Sequence, residues 1–370
     1  MNQQLDVLHV TPRLGKAGGG VWNFVRDLAA AQASSGMRVA VAGLDDEPGE
    51  QPFEVMAAPS PSGWRRTLAY SEKLGELIDS AAKRARVVHA HGGLRMWPNA
   101  QVRRAAAAHG RPVVLSPHGS LYPWMLRRNR LRKAIAGVLF DRRSLASVGR
   151  FHATCEQEAG FIRDYGLTQP IDVIPPGVEP LPTAEPLSLD IVAGRRVALF
   201  VGIFDRKKGL IRLVRAWREA PPDWCLLLAG PDQNGHAAEV QTEVNRHGLG
   251  DRVHLVGPRY GDELAGLYTL ADLFVLPTDW ENFGLVVGEA LAAGVPVVTT
   301  INTPWDWLPR ENAGWFVAPT EPAIAAAVRA ATALPPAELQ AMGERGRAFV
   351  GDHYVWSRTV ERLNEVYRLP

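Results

Sequence analysis

Glu281-Asn282-Phe283-Gly284-Leu285-Val286-Val287-Gly288-Glu289, running on through Ala290-Leu291-Ala292-Ala293-Gly294 into Val295-Pro296-Val297-Val298, decides how this chain folds. Just upstream, Asp272-Leu273-Phe274-Val275-Leu276-Pro277 reads as a buried strand. The residues from Gly284 to Ala293 read as a helix, which sets Asn282, Phe283 and Gly284 near its N-terminus. Backbone N–H groups there lack partners and attract anions and sugar oxygens. Glu281 stands in the turn, and Glu289 lies about one and a half helical turns further on. A carboxylate at Glu289 is placed to accept hydrogen bonds from a vicinal diol. Two carboxylates across a glycine turn, at the carboxyl end of a buried strand, point to a phosphorylated, hydroxyl-rich ligand.

Outward from this segment, apolar runs of strand length alternate with helical patterns, the signature of βαβ units and parallel sheets. Strands are expected at Val7 to Val10, Val39 to Ala42, Val87 to Ala90, Val113 to Ser116, Phe151 to Thr154 and Ile171 to Ile174. The pattern restarts at Arg196 to Val201, Cys225 to Ala229, Val253 to Val256, Leu273 to Leu276 and Val295 to Thr299. Between the two series, the Pro-rich stretch from Pro175 to Pro186 reads as a linker. A last helix, Trp356 to Tyr367, has no strand after it. At 370 residues the chain exceeds what one core sustains, so two domains are expected. The fold class is α/β.

Composition narrows the function classes only slightly. A hydrophobic fraction of 46%, 22% charged residues and a net charge of +2 describe an ordinary globular protein. No apolar run approaches the ~18 residues that span a bilayer. Met1-Asn2-Gln3-Gln4-Leu5-Asp6 lacks a basic and apolar secretory leader, and the two cysteines, Cys155 and Cys225, form no framework, so a cytoplasmic location is expected. Nothing resembles a nucleic-acid recognition motif.

In open α/β sheets, ligands bind outside the carboxyl ends of the strands, so the loops there carry the chemistry. After the first strand comes Gly15-Lys16-Ala17-Gly18-Gly19-Gly20, where Gly19 and Gly20 let backbone approach a phosphate. Lys208, in Arg206-Lys207-Lys208-Gly209, follows the first strand of the second series, and a compact ammonium there faces a diphosphate leaving group. His118 sits in Ser116-Pro117-His118-Gly119. In His89-Ala90-His91, alternate residues share a face, which raises metal ligation, but no Cys or Asp spacing supports it; His91 reads as a structural turn histidine or an acceptor-site residue. Asp279-Trp280-Glu281 resembles an acid-x-acid metal motif, and paired carboxylates also serve glycosidases. A Glu in a turn and a Glu inside a helix fit nucleotide recognition better. Trp124 to Arg150 carries Arg127, Arg128, Arg130, Arg132, Lys133, Arg142 and Arg143 beside apolar positions at helical spacing. It reads as a basic amphipathic helix against anionic lipid or as a core-facing helix with a solvated face, and Trp64-Arg65-Arg66 would extend the patch.

The chain resembles the family 4 retaining glycosyltransferases. Its E-x7-E segment is similar to that family's signature, and so are Gly19-Gly20, Ser116-Pro117-His118-Gly119, Ile174-Pro175-Pro176-Gly177-Val178, Lys207-Lys208-Gly209, Ala229-Gly230-Pro231 and Thr303-Pro304-Trp305. The resemblance implies the GT-B arrangement, two Rossmann-like domains with parallel sheets facing a cleft. An acceptor domain over 1–178 would be completed by a C-terminal helix in 354–370, and 188–353 would hold the nucleotide-sugar donor. It implies transfer from a UDP- or GDP-sugar, without metal or other cofactor, to a polyprenyl-diphosphate-linked or lipopolysaccharide acceptor at the inner face of the cytoplasmic membrane. Gly19, Gly20, Arg206, Lys208, Asn282, Phe283, Gly284, Leu285 and Glu289 would bind the donor, and His118, Glu281 and Lys208 would serve the transfer. Ile203 stands where the family usually has arginine, with Arg206 the candidate substitute, and Pro176 stands where asparagine is common. A nucleotide-sugar epimerase and a nucleotide-sugar-binding protein without turnover are the alternatives.

Overall fold

The computed structural model describes residues 4–15, 18–44, 48–63, 65, 69–92, 97–123, 145, 148–179, 184–192 and 194–368. Two compact units emerge, one of Met1–Gly177 with Trp356–Pro370, the other of Val178–Val355.

The first unit holds strands β1 (Leu5–Arg13), β2 (Val39–Leu44), β3 (Glu54–Ala58), β4 (Ala85–His91), β5 (Val113–Ser116), β6 (Arg150–Ala153) and β7 (Ile171–Val173). They form one sheet in the order β3-β2-β1-β4-β5-β6-β7, every recorded pair parallel. Helices α1 (Gly19–Ser34), α2 (Glu72–Arg84), α3 (Trp97–His109) and α4 (Glu156–Asp164) connect them. Helix α2 begins where Ser71 accepts from the Leu74 N–H at 3.2 Å and ends on Lys83 and Arg84, charges that suit the helix dipole. The final helix of the chain, Trp356–Tyr367, buries Trp356, Thr359, Val360, Leu363 and Val366 on one stripe. That stripe joins the cluster of Trp22, Val25, Leu28 and Val41, and each buried aliphatic side chain contributes about 1.5–3 kcal/mol.

In the second unit the strands are β8 (Arg196–Val201), β9 (Trp224–Ala229), β10 (Val253–Gly257), β11 (Leu273–Leu276), β12 (Val297–Thr300) and β13 (Gly314–Val317). Their order is β10-β9-β8-β11-β12-β13, again with parallel pairs. Helices α5 (Leu210–Trp217), α6 (His236–Arg246), α7 (Gly261–Leu270), α8 (Leu285–Ala292), α9 (Glu321–Thr332) and α10 (Pro336–His353) complete it, and the helix Trp356–Tyr367 of the first unit is α11. Strands β8, β9 and β11 are apolar on both faces because helices cover both, and β12 is buried throughout, Thr299 and Thr300 included. Trp217, Trp224, Tyr268, Phe274 and Trp305 fill the core.

Two strands escaped the periodicity. Both are at sheet edges: β3 pairs only with β2 and β13 only with β12. In β3 only Ala58 is fully buried, and the apolar run Val55-Met56-Ala57-Ala58 is short and led by the exposed Glu54.

In each sheet the order reverses once, between β1 and β4 and between β8 and β11. Loops at such reversals diverge to opposite faces and leave a crevice at the carboxyl ends of the strands. The residues singled out in the sequence concentrate there.

Candidate functional site

In the second unit, the loops after β8 and β11 are drawn together by a glycine. Gly209 has φ +72°, and a Cβ on it would lie 2.2 Å from the Pro277 carbonyl oxygen. Only glycine allows that approach in that conformation. The Lys207 carbonyl then accepts from the Asp279 N–H at 2.6 Å and the Thr278 hydroxyl at 3.1 Å. Asp205 caps the short turn Arg206–Lys208 through the Lys207 N–H at 2.9 Å. So braced, the Lys208 ammonium meets the Glu281 carboxylate in an ion pair, the two side chains retaining 11% and 17% exposure. Burial pushes the Glu281 carboxyl up, but the charge and hydrogen bond of Lys208, with Lys207 behind it, outweigh burial and hold it below its ordinary value. The Lys207 ammonium lies 4.4 Å from the centre of the Trp280 ring.

The segment that opens α8 is pinned from beneath. Glu281 donates its N–H to the Asn302 carbonyl at 3.1 Å, and the buried Trp305 indole N–H donates to the Phe283 carbonyl at 2.7 Å. Gly284, at φ +78°, turns the chain into α8 at Leu285. One face of α8 brings Glu289 to Tyr268, whose hydroxyl donates to its Oε2 at 2.8 Å. Burial, and then the Glu289 carboxylate, push the Tyr268 phenol well above its ordinary range, so it remains a donor.

Arg206 is turned outward. Its guanidinium is 80% exposed and paired with Glu239 of α6. Ile203, also beyond β8, is 41% exposed.

In the first unit, His118 follows β5 in the left-handed region, at φ +48°. A side chain with a Cβ is disfavoured there by about 1–2 kcal/mol, and the surroundings hold it. Buried Glu158 accepts the Gly119 N–H at 2.8 Å on one oxygen and the Thr154 N–H at 2.8 Å on the other. The His118 ring stacks on His91 (5.3 Å, 17°) and meets the Phe24 ring of α1 at 4.8 Å. Its Nε2 is 3.0 Å from His91 Nδ1, and His91 Nε2 is 2.8 Å from His9 Nδ1. Burial and then the nearby His152 hold the His118 pKa down at about 3. Gly19 and Gly20 open α1, the helix that carries Phe24.

Chain comparison agrees with this picture. Residues 184–349 match the family described as glycosyl transferases group 1, and residues 19–177 match the glycosyl transferase 4-like domain. D-inositol 3-phosphate glycosyltransferase 1 of Catenulispora acidiphila is 31% identical over 76% of this chain and 72% of its own length. The chain belongs to the group 1 glycosyl transferases. Among other relatives, the D-inositol 3-phosphate glycosyltransferase of Salinispora tropica is 31% identical over 63% of this chain, a match that spans about half (53%) of the relative. The GDP-mannose:cellobiosyl-diphosphopolyprenol alpha-mannosyltransferase of Xanthomonas campestris is 26% identical over 98% of this chain and 96% of its own. In fold, the chain is similar to Anabaena Alr3699/HepE, solved in complex with UDP and glucose, at TM-score 0.78 and 19% identity over 97% of this chain and 98% of that one.

Against the residues expected of a group 1 glycosyl transferase, the second unit brings Lys208 and Glu281 into contact and sets Asn282, Phe283, Gly284 and Leu285 at the start of α8. Arg206 is engaged with Glu239. Lys16 and Ala17 of the glycine loop, Trp64 and Arg66, and the basic stretch 124–144 lie outside the described residues. Among the described residues no helix is long and apolar enough to cross a membrane. Both cysteines are buried thiols, each pushed up to about 11 by burial first.

Also among the described residues, His9, His89 and His91 each offer a nitrogen within 4.8 Å of the others. Every ring nitrogen of the three is already hydrogen-bonded: His9 to His91 and Gln32, His91 to His9 and His118, His89 to Tyr367 and Ser116. A metal ion there would have to break these bonds. Sequence reading did not single out His9, Gln32, His152, Tyr268 or Tyr367. A signal existed for His9, which is in register with His89 across β1 and β4. The others are joined to their partners only by tertiary contact.

Proposed function

We propose that the protein transfers a sugar from a UDP- or GDP-linked donor to a polyprenyl-diphosphate-linked or lipopolysaccharide acceptor, with retention at the anomeric carbon and without a metal ion, at the inner face of the cytoplasmic membrane. The observation that carries this reading is the Lys208–Glu281 pair at the reversal point of the second sheet, next to the glycine-capped start of α8 and the Tyr268-held Glu289. The name of the Xanthomonas campestris relative, which couples GDP-mannose with a diphosphopolyprenol acceptor, supports the donor and acceptor classes.

In this mechanism the donor diphosphate competes for the Lys208 ammonium, and Glu281, released, takes sugar hydroxyls. Glu289 accepts from the ribose diol. The anomeric C–O bond to the diphosphate breaks as the acceptor oxygen bonds on the same face, and the acceptor hydroxyl's proton passes to the departing phosphate oxygen. Lys208 offsets the charge that develops on that oxygen. In the second unit, backbone at Asn282 to Leu285 grips the sugar; in the first unit, His118 is the residue that the family resemblance assigns to the sugar, and Gly19 and Gly20 are those it assigns to the phosphates.

A second reading, binding without turnover, rests on Ile203 at the usual arginine position and on Arg206 being paired with Glu239. One experiment separates the two. Purified protein is screened against nucleotide sugars by thermal shift and nucleotide release, with and without membrane lipid extract. A donor that stabilises the fold and is consumed far faster with extract supports transfer; stabilisation with no release in any extract supports binding alone.

A further inference from the structure

One unbroken series of hydrogen bonds threads the first unit from a main-chain carbonyl to His118. His152 Nε2 is 2.8 Å from the Ile174 carbonyl oxygen, and a carbonyl can only accept, so that nitrogen carries the proton. In a neutral ring Nδ1 then accepts, from the Ser116 hydroxyl at 2.8 Å. With its proton used, Ser116 Oγ must accept from His89 Nε2 at 2.7 Å. His89 Nδ1 in turn accepts from the Tyr367 hydroxyl at 2.6 Å, whose oxygen accepts from Gln32 Nε2 at 3.4 Å. The Gln32 amide oxygen therefore faces His9 Nε2 at 2.7 Å, and that nitrogen donates. His9 Nδ1 accepts from His91 Nε2 at 2.8 Å, and His91 Nδ1 accepts from His118 Nε2 at 3.0 Å.

The reverse polarity fails at one point. It would set a lone pair of His152 against the Ile174 carbonyl, two acceptors at 2.8 Å. The neutral state that the ordering needs is supplied by burial: His9, His89, Ser116, His91 and His152 have no exposure, and the pKa values of His9 and His152 are held down at about 4, by burial first.

We propose that this network makes His118 a one-way acceptor: its Nε2 proton is committed to His91, its outer Nδ1 presents a lone pair, and Gln32, His9 and His91 are positioning residues that keep it so. The group His118 takes is therefore a hydrogen-bond donor. That this donor is a hydroxyl of the transferred sugar rests on the function proposed above; the tautomer does not.

The test is long-range proton–nitrogen correlation NMR on the full chain labelled with nitrogen-15 histidine, with His118 assigned by the signals lost in His118→Gln. Expected is a His118 protonated at Nε2 and bare at Nδ1; a proton on Nδ1 overturns the proposal. Gln32→Leu, which removes the acceptor that orients His9, should mix the His118 tautomers and lower kcat about 10-fold, while Gln32→Glu, which keeps an acceptor oxygen, restores both. An unchanged tautomer and kcat in Gln32→Leu would overturn the positioning role. Should Gln32→Leu fail to fold, the unmutated protein's spectrum still decides the tautomer. A protein with the expected tautomer that releases nucleotide from no donor keeps the network and sinks the transfer reading alone.

Discussion

The Lys208 ammonium and the Glu281 carboxylate, 73 residues apart in the chain, form an ion pair between the loops that follow β8 and β11. Both groups have left most of the water, so each depends on the other. In the function proposed here, the pair is also where an incoming diphosphate finds its cation.

Removing Lys208 therefore tests stability and chemistry separately. Lys208→Met takes from a largely buried carboxylate its main cation, with Lys207 still behind it, and should cost about 2–3 kcal/mol in urea unfolding, less than the ~3–5 of a fully buried pair broken outright. Lys208→Met/Glu281→Gln should recover most of that stability while donor turnover stays down by about 10²–10³-fold. A double variant as active as the unmutated protein would remove Lys208 from the chemistry.

Tyr268→Phe deletes the 2.8 Å hydrogen bond to Glu289 and the longer 3.4 Å contact with the Val286 carbonyl. The expected loss is about 1 kcal/mol of stability, with nucleotide affinity, by calorimetry, weaker by roughly 5-fold as Glu289 loses its orientation. Glu289→Ala should weaken binding further. Equal affinities in all three proteins would end the ribose-clamp assignment.

Stability should fall as pH drops below neutral. His9 and His152 titrate near 4 in the folded chain against an ordinary value of 6.5, so between those pH values the unfolded chain binds more protons. Stability then rises with pH in that window: the contribution is full above 6.5 and is lost towards 4, on the order of 3 kcal/mol per histidine. Glu281, with a lowered carboxyl, acts in the same direction only below its ordinary 4.5. Urea titrations at pH 7 and pH 5 isolate the histidines, and a free energy that is flat between them contradicts the neutral network.

Gly209→Ala combines a left-handed φ with a Cβ 2.2 Å from the Pro277 carbonyl oxygen, so the two loops must separate. A loss of about 2 kcal/mol or more is expected. Activity should fall with it, because Lys208 is the residue just before Gly209; a silent substitution would show that the close approach of the loops is dispensable.

Much of this protein was legible in its sequence because periodicity is a local property. Arg196–Val201 and Leu273–Leu276 fall where their apolar runs put them, and the helix Trp356–Tyr367 shows its buried stripe directly. The Glu281 to Glu289 segment announced a glycine turn opening a helix, and Gly284 makes that turn. Strands β3 and β13 were not legible, because apolar runs as short as Val55-Met56-Ala57-Ala58 and Trp315-Phe316-Val317 do not by themselves distinguish a strand from its surroundings; the other two edge strands, β7 and β10, were read. Local pattern also says nothing about which partner a buried polar group finds. Tertiary structure alone joined Lys208 to Glu281, Tyr268 to Glu289 and His9 to His91 across 82 residues. The polarity of the histidine network was decided in the same way, because a buried imidazole must match its neighbours donor to acceptor, and here the Ile174 carbonyl sets the order for all of them.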